Sequence, residues 1–488
     1  MRPWLRHLAI LPLLATLATA VGCATQIVPI QQTFRQGNFQ AAAESIRAYA
    51  RRHDGGTPQT VLAHLEHGSM SRMIGNFGES DAALARAEAR MARLDRAPGT
   101  SASQRVSALT STPDRITYEG FFYDRQFAAA YRAINAMALG EVEDARQHFV
   151  RADRWQTLAI IENRQRAQQL REEQEAARER GGFDRALGDA RLDAQLNERY
   201  GDLAQFEAYA DFANPYVDML RAVYLMGAAE EAADYDVARN LLRRVAGMAP
   251  SNPYVLDDLD LADALAQGEA EKPDVVYVFF ETGLAPFRAQ SRISVPVFLV
   301  TDRVQIVPIA VPYLVFDDRY VQTLYAQSGD DRRGTAVLAS VDRIVAAEFY
   351  AQLPGLKTRM IAAAAFKTGV QFGVNQALRR SDPLIRIAAM LGGAIWAAST
   401  NEADLRTWAT LPKQVQYASV PAPESGELRL DIGSSRLTVP VSSKGITLVV
   451  VRSVRGDSPP MVISTPLEVQ PWIYASTDEP TDLPTQTE

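Results

Sequence analysis

A chain of 488 residues, 47% hydrophobic and 22% charged, has ordinary globular composition and enough length for two or three cores. Its formal charge of −7 argues against nucleic acid or an anionic membrane surface as the main partner. One cysteine and five histidines (His7, His53, His64, His67 and His148) exclude disulfides and multi-thiolate metal sites, and exclude Ser-His or Cys-His nucleophile pairs after His148.

The chain opens with a basic start, Arg2, Arg6 and His7, and an apolar stretch from Leu8 to Leu17 interrupted by Pro12 and Thr16. Small residues close it as Ala20-Val21-Gly22, directly before Cys23. Residues 1–22 therefore read as an export signal. The run is shorter than the roughly 20 residues needed to cross a bilayer core. A thiol immediately after the cut resembles a lipoprotein signal, with Ala20 where Leu is commoner. That resemblance implies Cys23 as first mature residue, carrying covalent diacylglycerol and an N-acyl chain, with residues 23–26 as anchor site and short linker. Ala24, which is not acidic, implies the periplasmic face of the outer membrane of a Gram-negative bacterium. Losing Arg2 and Arg6 takes the formal charge from −7 to −9.

Residues 27–270 read as helical. Gly37-Asn38-Phe39 is followed by Ala42 and Ile46, and Gly75-Asn76-Phe77 by Ser80, Leu84 and Ala87. Gly140-Glu141-Val142 precedes Ala145, Phe149 and Ala152 at the same offsets. Ala233-Asp234-Tyr235 precedes Ala238, Leu242 and Val245, and Pro250 closes the unit. This spacing resembles the tetratricopeptide repeat, in which a small residue admits the neighbouring helix and a larger one fills the groove. The anchors at 37, 75, 140 and 233 are irregularly spaced, so the expectation is an irregular solenoid; a non-repetitive helical bundle is the alternative. Within it, residues 161–200 carry mixed-sign charges at helical spacing, then Gly181-Gly182. They predict a solvated helical hairpin, or a partner-binding coiled-coil arm.

At Lys272-Pro273 the period changes to that of strands. Strands are predicted at Val275–Phe280, Ile293–Val300, Val304–Val311, Val415–Val420, Glu427–Ile432, Arg436–Val441 and Ile446–Val451. Helices are predicted between the two strand groups, at Ala336–Leu353, Leu356–Arg379 and Pro383–Thr400. The fold class expected is thus α + (α+β): a helical solenoid, then an antiparallel α+β domain at 273–470 with a helical insertion at 336–400. An acidic tail, 471–488, is expected to be disordered. Residues 360–398 form an apolar helical hairpin, predicted either buried under the sheet or exposed for membrane contact and oligomerisation.

The stretch Tyr277-Val278-Phe279-Phe280-Glu281-Thr282-Gly283-Leu284-Ala285-Pro286 and the later Asn401-Glu402-Ala403-Asp404-Leu405-Arg406-Thr407-Trp408 with Leu411-Pro412 resemble a family of uncharacterised bacterial envelope lipoproteins. Such proteins join tetratricopeptide-like repeats to this C-terminal domain, so the resemblance covers nearly the whole mature chain. Gene neighbourhood links such families to penicillin-binding-protein activators, which implies a connection to peptidoglycan synthesis. No activity and no catalytic residue come with it.

Candidate acids are Glu281, Asp317, Asp318, Glu348, Glu402 and Asp404. Paired carboxylates cleave glycosidic bonds, so an envelope hydrolase predicts Glu281, Glu402 and Asp404 in one cleft. The competing expectation is capping or solvation, with Asn401 as helix N-cap and Asp404 as a first-turn acid. His64 and His67 lack zinc-protease spacing and read as a solvated or repeat-packing pair. Trp408 reads as a core or interface aromatic. The sequence therefore points to a non-enzymatic scaffold without cofactor or metal, binding a periplasmic or outer-membrane protein. A carboxylate hydrolase and an oligomeric secretion or pore component are the alternatives.

Overall fold

Left-handed glycines divide the N-terminal half into helix pairs. The computed structural model describes residues 27–96, 117–178, 183–209, 214–298, 304–371 and 403–467; Cys23, Asn401, Glu402 and the tail 471–488 lie outside them. Helix α1 (Ile27–Arg35) turns into α2 (Phe39–Arg52) at Gly37, and α3 (Thr60–Met73) into α4 (Phe77–Arg96) at Gly75. Helix α5 (Phe122–Ala138) turns into α6 (Val142–Arg178) at Gly140. The three glycines have φ of 84°, 77° and 82°, a conformation that costs other L-residues about 1–2 kcal/mol. Behind each turn the offset positions point inward: Ala42 and Ile46, then Ser80, Leu84 and Ala87, then Ala145, Phe149 and Ala152 are all buried.

The fourth turn differs from expectation. After α7 (Phe183–Leu187), α8 (Ala190–Tyr200) and a 3₁₀ turn (Gly201–Tyr209), helix α9 (Pro215–Gly227) pairs with α10 (Ala232–Met248). Ala233-Asp234-Tyr235 therefore lies inside the first turn of α10 and is not the connection. Gly227 at the end of α9 is not left-handed, so the chain turns through 228–231, and the Asp234 carboxylate accepts the Glu230 N–H. Ala238, Leu242 and Val245 are nonetheless buried, Tyr235 is half-buried and Pro250 exposed. Helix α11 (Val255–Gln267) ends at left-handed Gly268.

The charged insertion is not a free hairpin. Its first arm is the continuation of α6. Its second arm, α8, docks on the sheet half, where the Gln195 side chain exchanges two hydrogen bonds with the backbone of Ser294 (3.1 and 3.0 Å). Tyr200 Oη donates to Pro312 O at 2.8 Å.

The second half contains β1 (Val275–Thr282), β2 (Phe287–Phe298), β3 (Val304–Val315), β4 (Leu324–Ser328), β5 (Asp331–Gly334) and β6 (Ala336–Ser340). Helices α12 (Val341–Ala351) and α13 (Leu353–Gln371) follow. Strands β7 (Gln414–Pro421), β8 (Glu427–Ile432), β9 (Ser435–Pro440), β10 (Ile446–Ser453) and β11 (Met461–Pro466) complete it. The helix expected from Ala336 begins five residues later. Residues 336–340 pair with β7 across a bulge, and the Ser340 hydroxyl caps α12 by accepting the Arg343 N–H. Of the apolar hairpin, Met360–Ala365 is buried, in a helix packed on the β2–β3 ribbon; residues 372–402 lie outside the described set. No helix among the described residues is long and apolar enough to cross a membrane.

The main sheet is mixed, not antiparallel, with order β11-β10-β1-β7-β6 and β1 parallel to β10. A parallel pair needs a crossover, which the long chain between β1 and β10 supplies. Strand β1 is central and is covered on both faces, hence its uninterrupted apolar run. Tyr277 and Phe279, with Tyr417, Leu448 and Val450, face the helices. Val276, Val278 and Phe280, with Val449 and Val451, face the second sheet, β5-β4-β8-β9, through Leu324, Ala326, Leu428, Leu430 and Ile432. The result is three layers, helices on sheet on sheet. One apolar cluster contains members from Ile27 through Leu467, so the helical and α+β halves share a core.

Candidate functional site

Helix α3 is buried along its whole length although half its residues are polar. A buried polar group without a partner costs a few kcal/mol, so each such side chain must be answered by a neighbour. Glu66, Ser69 and Arg72, spaced by three, face the α+β half. Glu66 accepts bonds from the Ala409 N–H (2.8 Å), the Thr410 hydroxyl (2.6 Å) and the Gln31 amide (2.6 Å). Its pKa is raised by burial, against the pull of these three donors. Ser69 Oγ accepts the Trp408 indole N–H at 2.9 Å. Arg72 forks onto Glu281 at 2.8 and 3.1 Å and lies 4.3 Å over the Tyr131 ring.

Glu281 is fully enclosed. Tyr216 Oη donates to it at 2.6 Å, and Arg452 Nε stands 4.0 Å away. Burial opposes the charge of Arg72, but Glu281, with the nearby Tyr131 and Tyr216, raises its pKa overall. Burial holds that of Arg452 below its ordinary value. Arg452 is fixed by donation to the carbonyls of Glu281 (3.2 Å), Ser453 (3.1 Å) and Thr410 (3.2 Å).

The two motif stretches run side by side. Lys413 N–H donates to Thr282 O at 3.0 Å, and Ala285 N–H to Leu411 O at 2.8 Å. Gly283, at φ +70°, sits between them, and a Cβ there would lie 2.9 Å from the Cβ atoms of Lys413 and Tyr320. Pro286 and Pro412 are buried beside it. Asp404 holds the buried Arg406 through a fork of 2.8 and 2.7 Å, and Arg406 reaches Gln59 at the start of α3 (3.3 Å). Ala403 to Trp408 is not helical, so the first-turn role expected for Asp404 is replaced by this fork.

Glu281 and Asp404 thus meet opposite ends of α3. The span from Gln59 to Arg72 corresponds to roughly 20 Å of helix, well beyond the separation of about 5–9.5 Å at which two carboxylates share a glycosidic bond. Of the other acids, Asp317 pairs with Arg319 (3.1 Å), Asp318 with Lys413 (3.1 Å), and Glu348 is buried on α12. The structure therefore brings Glu281 and Trp408 onto α3, sets Gly283 against Lys413 and Tyr320 with Pro286 and Pro412 buried nearby, and holds Glu281 and Asp404 apart.

The opposite face of α3 carries His64 and His67. His64 Nε2 lies 2.9 Å from Asp54, and His67 Nε2 lies 3.1 Å from Glu79, which also receives the Arg47 fork and the Asn76 amide. Burial pushes both imidazole pKa values down. Both rings line a recess of about 310 Å³ between α2, α3 and α4, walled also by Arg47, Arg51 and Arg86. No group of three metal-ligating side chains occurs among the described residues. Sequence reasoning missed Glu66, Arg72, Tyr216 and Arg452. The available signal was a helix with no apolar stripe, which can be stable only when other elements surround it. Comparison with family models, curated proteins and solved structures gives no match.

Proposed function

We propose that this chain is a lipid-anchored envelope scaffold, tethered through Cys23 on the periplasmic side of the outer membrane, whose tetratricopeptide-like helix pairs present a binding surface to another envelope protein. The observation that carries this reading is the enclosure of the motif side chains. Glu281, Arg406 and Trp408 are each at most 5% exposed and are bonded to α3, so the motif acts as the joint between the helical and sheet halves. A rigid joint of this kind supports a role in holding two surfaces in fixed relation, and the helix pairs stacked by small-and-large packing supply one of them. A connection to peptidoglycan synthesis belongs to the same proposal.

Palmitate labelling in cells should mark the wild type and leave Cys23→Ala unlabelled, with the variant in the soluble periplasmic fraction. Retention of Cys23→Ala on membranes in high salt would remove the anchor. Photo-crosslinkers at the exposed Leu139, Val237 and Leu256 should yield discrete adducts in intact cells. Their absence at every helical position tested would remove the scaffold role.

A further inference from the structure

The recess on the outer face of α3 is chemically unlike the joint on its inner face. Five charged side chains line it: Arg47, Arg51 and Arg86 against Asp54 and Glu79. Arg47 is held by Glu79, and Asp54 is engaged by His64. Arg51 and Arg86 have no ion-pair partner among the described residues. Arg51 on α2 and Arg86 on α4 are both exposed and both line the recess. Ala50 and Ala82 keep the wall low, leaving a volume at the lower limit for a small-ligand site. The buried Nδ1 atoms of His64 and His67 also lack hydrogen-bond partners. Nε2 of each ring is engaged by Asp54 or Glu79, and Nδ1 is enclosed by protein, so the imidazoles line the recess without offering Nδ1 to it.

We infer that the recess between α2, α3 and α4 binds a small phosphate-bearing solute, its oxygens taken by the Arg51 and Arg86 forks. A carboxylate offers two oxygens and satisfies one guanidinium fork; a phosphate or pyrophosphate group presents oxygens on several sides and satisfies two at once. The neighbouring Arg47–Glu79 pair fixes the wall without closing it.

The test is calorimetric titration of inorganic pyrophosphate into the full chain at fixed ionic strength, with acetate titrated in parallel. The wild type should bind pyrophosphate at least tenfold tighter than acetate. The double variant Arg51→Ala/Arg86→Ala should lose at least tenfold in pyrophosphate affinity, and Arg51→Lys/Arg86→Lys should recover part of it. Both side chains lack partners, so an unchanged melting temperature is expected for each variant. Arg93→Ala, an exposed arginine of α4 outside the recess, removes one positive charge and should bind as the wild type does. The inference is overturned by no wild-type binding at millimolar pyrophosphate, by equal acetate affinity, by full affinity in the double alanine variant, or by a loss of equal size in Arg93→Ala.

Discussion

Glu281 keeps a carboxylate at 0% exposure because Arg72 and Tyr216 bond it directly. Removing one partner of a buried pair leaves an uncompensated charge and typically costs about 3–5 kcal/mol. Arg72→Met should therefore lower stability by that amount, seen as a lower urea midpoint, whereas Arg72→Met/Glu281→Leu should cost less than the sum of its single variants. Strict additivity in that cycle would show that the pair is not energetically coupled. Asp258 provides a pH-dependent counterpart. It is buried, accepts a hydrogen bond from the Tyr417 hydroxyl, and burial raises its pKa from 3.8 to about 7. A carboxyl whose folded pKa is raised binds its proton more tightly when folded, so its contribution is complete below about pH 4 and is lost as pH rises through about 7. Asp258→Asn cannot ionise and can still accept from Tyr417. Its stability relative to the wild type should rise between pH 5 and pH 8, by at most about 1.4 kcal/mol per pH unit. A flat difference across that range would mean that Asp258 is not proton-coupled to folding. His148, pushed down to about 4 by burial and by Arg132 and Arg151, works in the opposite direction, but it is common to both proteins and cancels in the difference.

At the scale of the element, α3 has the unusual position. Every residue from Thr60 to Met73 is buried, and its polar side chains other than Ser71 are bonded outward to α1, to α4, to the Trp408 segment, to β1 and to the turn before it. Its amides should therefore exchange with deuterium only through global unfolding, as slowly as those of β1 and β10. Fast exchange in α3 while β1 stays protected would mean that the joint opens locally. The sequence shows why this helix was the hardest to interpret. Periodicity and turn residues locate elements that have one apolar side, and so the turns at Gly37, Gly75 and Gly140 and strand β8 were legible within a few residues; β1 shows as an uninterrupted apolar run, while β2 begins six residues before its predicted start because its first half is only partly buried. A helix surrounded on all sides has no such period, so the spacing of His64, Glu66 and His67 gives no sign that all three are buried. Strand β6 was missed for a related reason. Its Ala336-Val337-Leu338-Ala339 run suits a helix locally, and only pairing with β7 and the Ser340 cap makes it a strand. For the site, the motif stretches were visible, but Arg72 and Tyr216, which neutralise Glu281, come from positions 209 and 65 residues away, beyond the reach of spacing arguments.

For the whole molecule, the change of period at Lys272-Pro273 suggests two separable domains, and the packing argues against separation. One apolar cluster takes members from both halves. Across the boundary run Arg72–Glu281, Tyr216–Glu281, Ser69–Trp408, Glu66–Thr410 and Tyr417–Asp258, each between side chains that are buried. Split at residue 270, the helical half would expose Glu66 and Arg72 to water together with the apolar residues around them, and the sheet half would lose the Arg72 and Tyr216 bonds to Glu281 and leave that face of β1 open. Either outcome costs several kcal/mol per lost partner, comparable with the 5–15 kcal/mol that holds a typical native protein together. Residues 27–270 expressed alone should therefore lack a sharp thermal transition. The intact chain should unfold in one calorimetric step whose van't Hoff and calorimetric enthalpies agree. Two resolved steps, or a cooperative melt of the isolated helical half, would show that the α3 joint is an interface between independent domains, and a scaffold built on it would then be hinged where the buried ion network implies it is rigid.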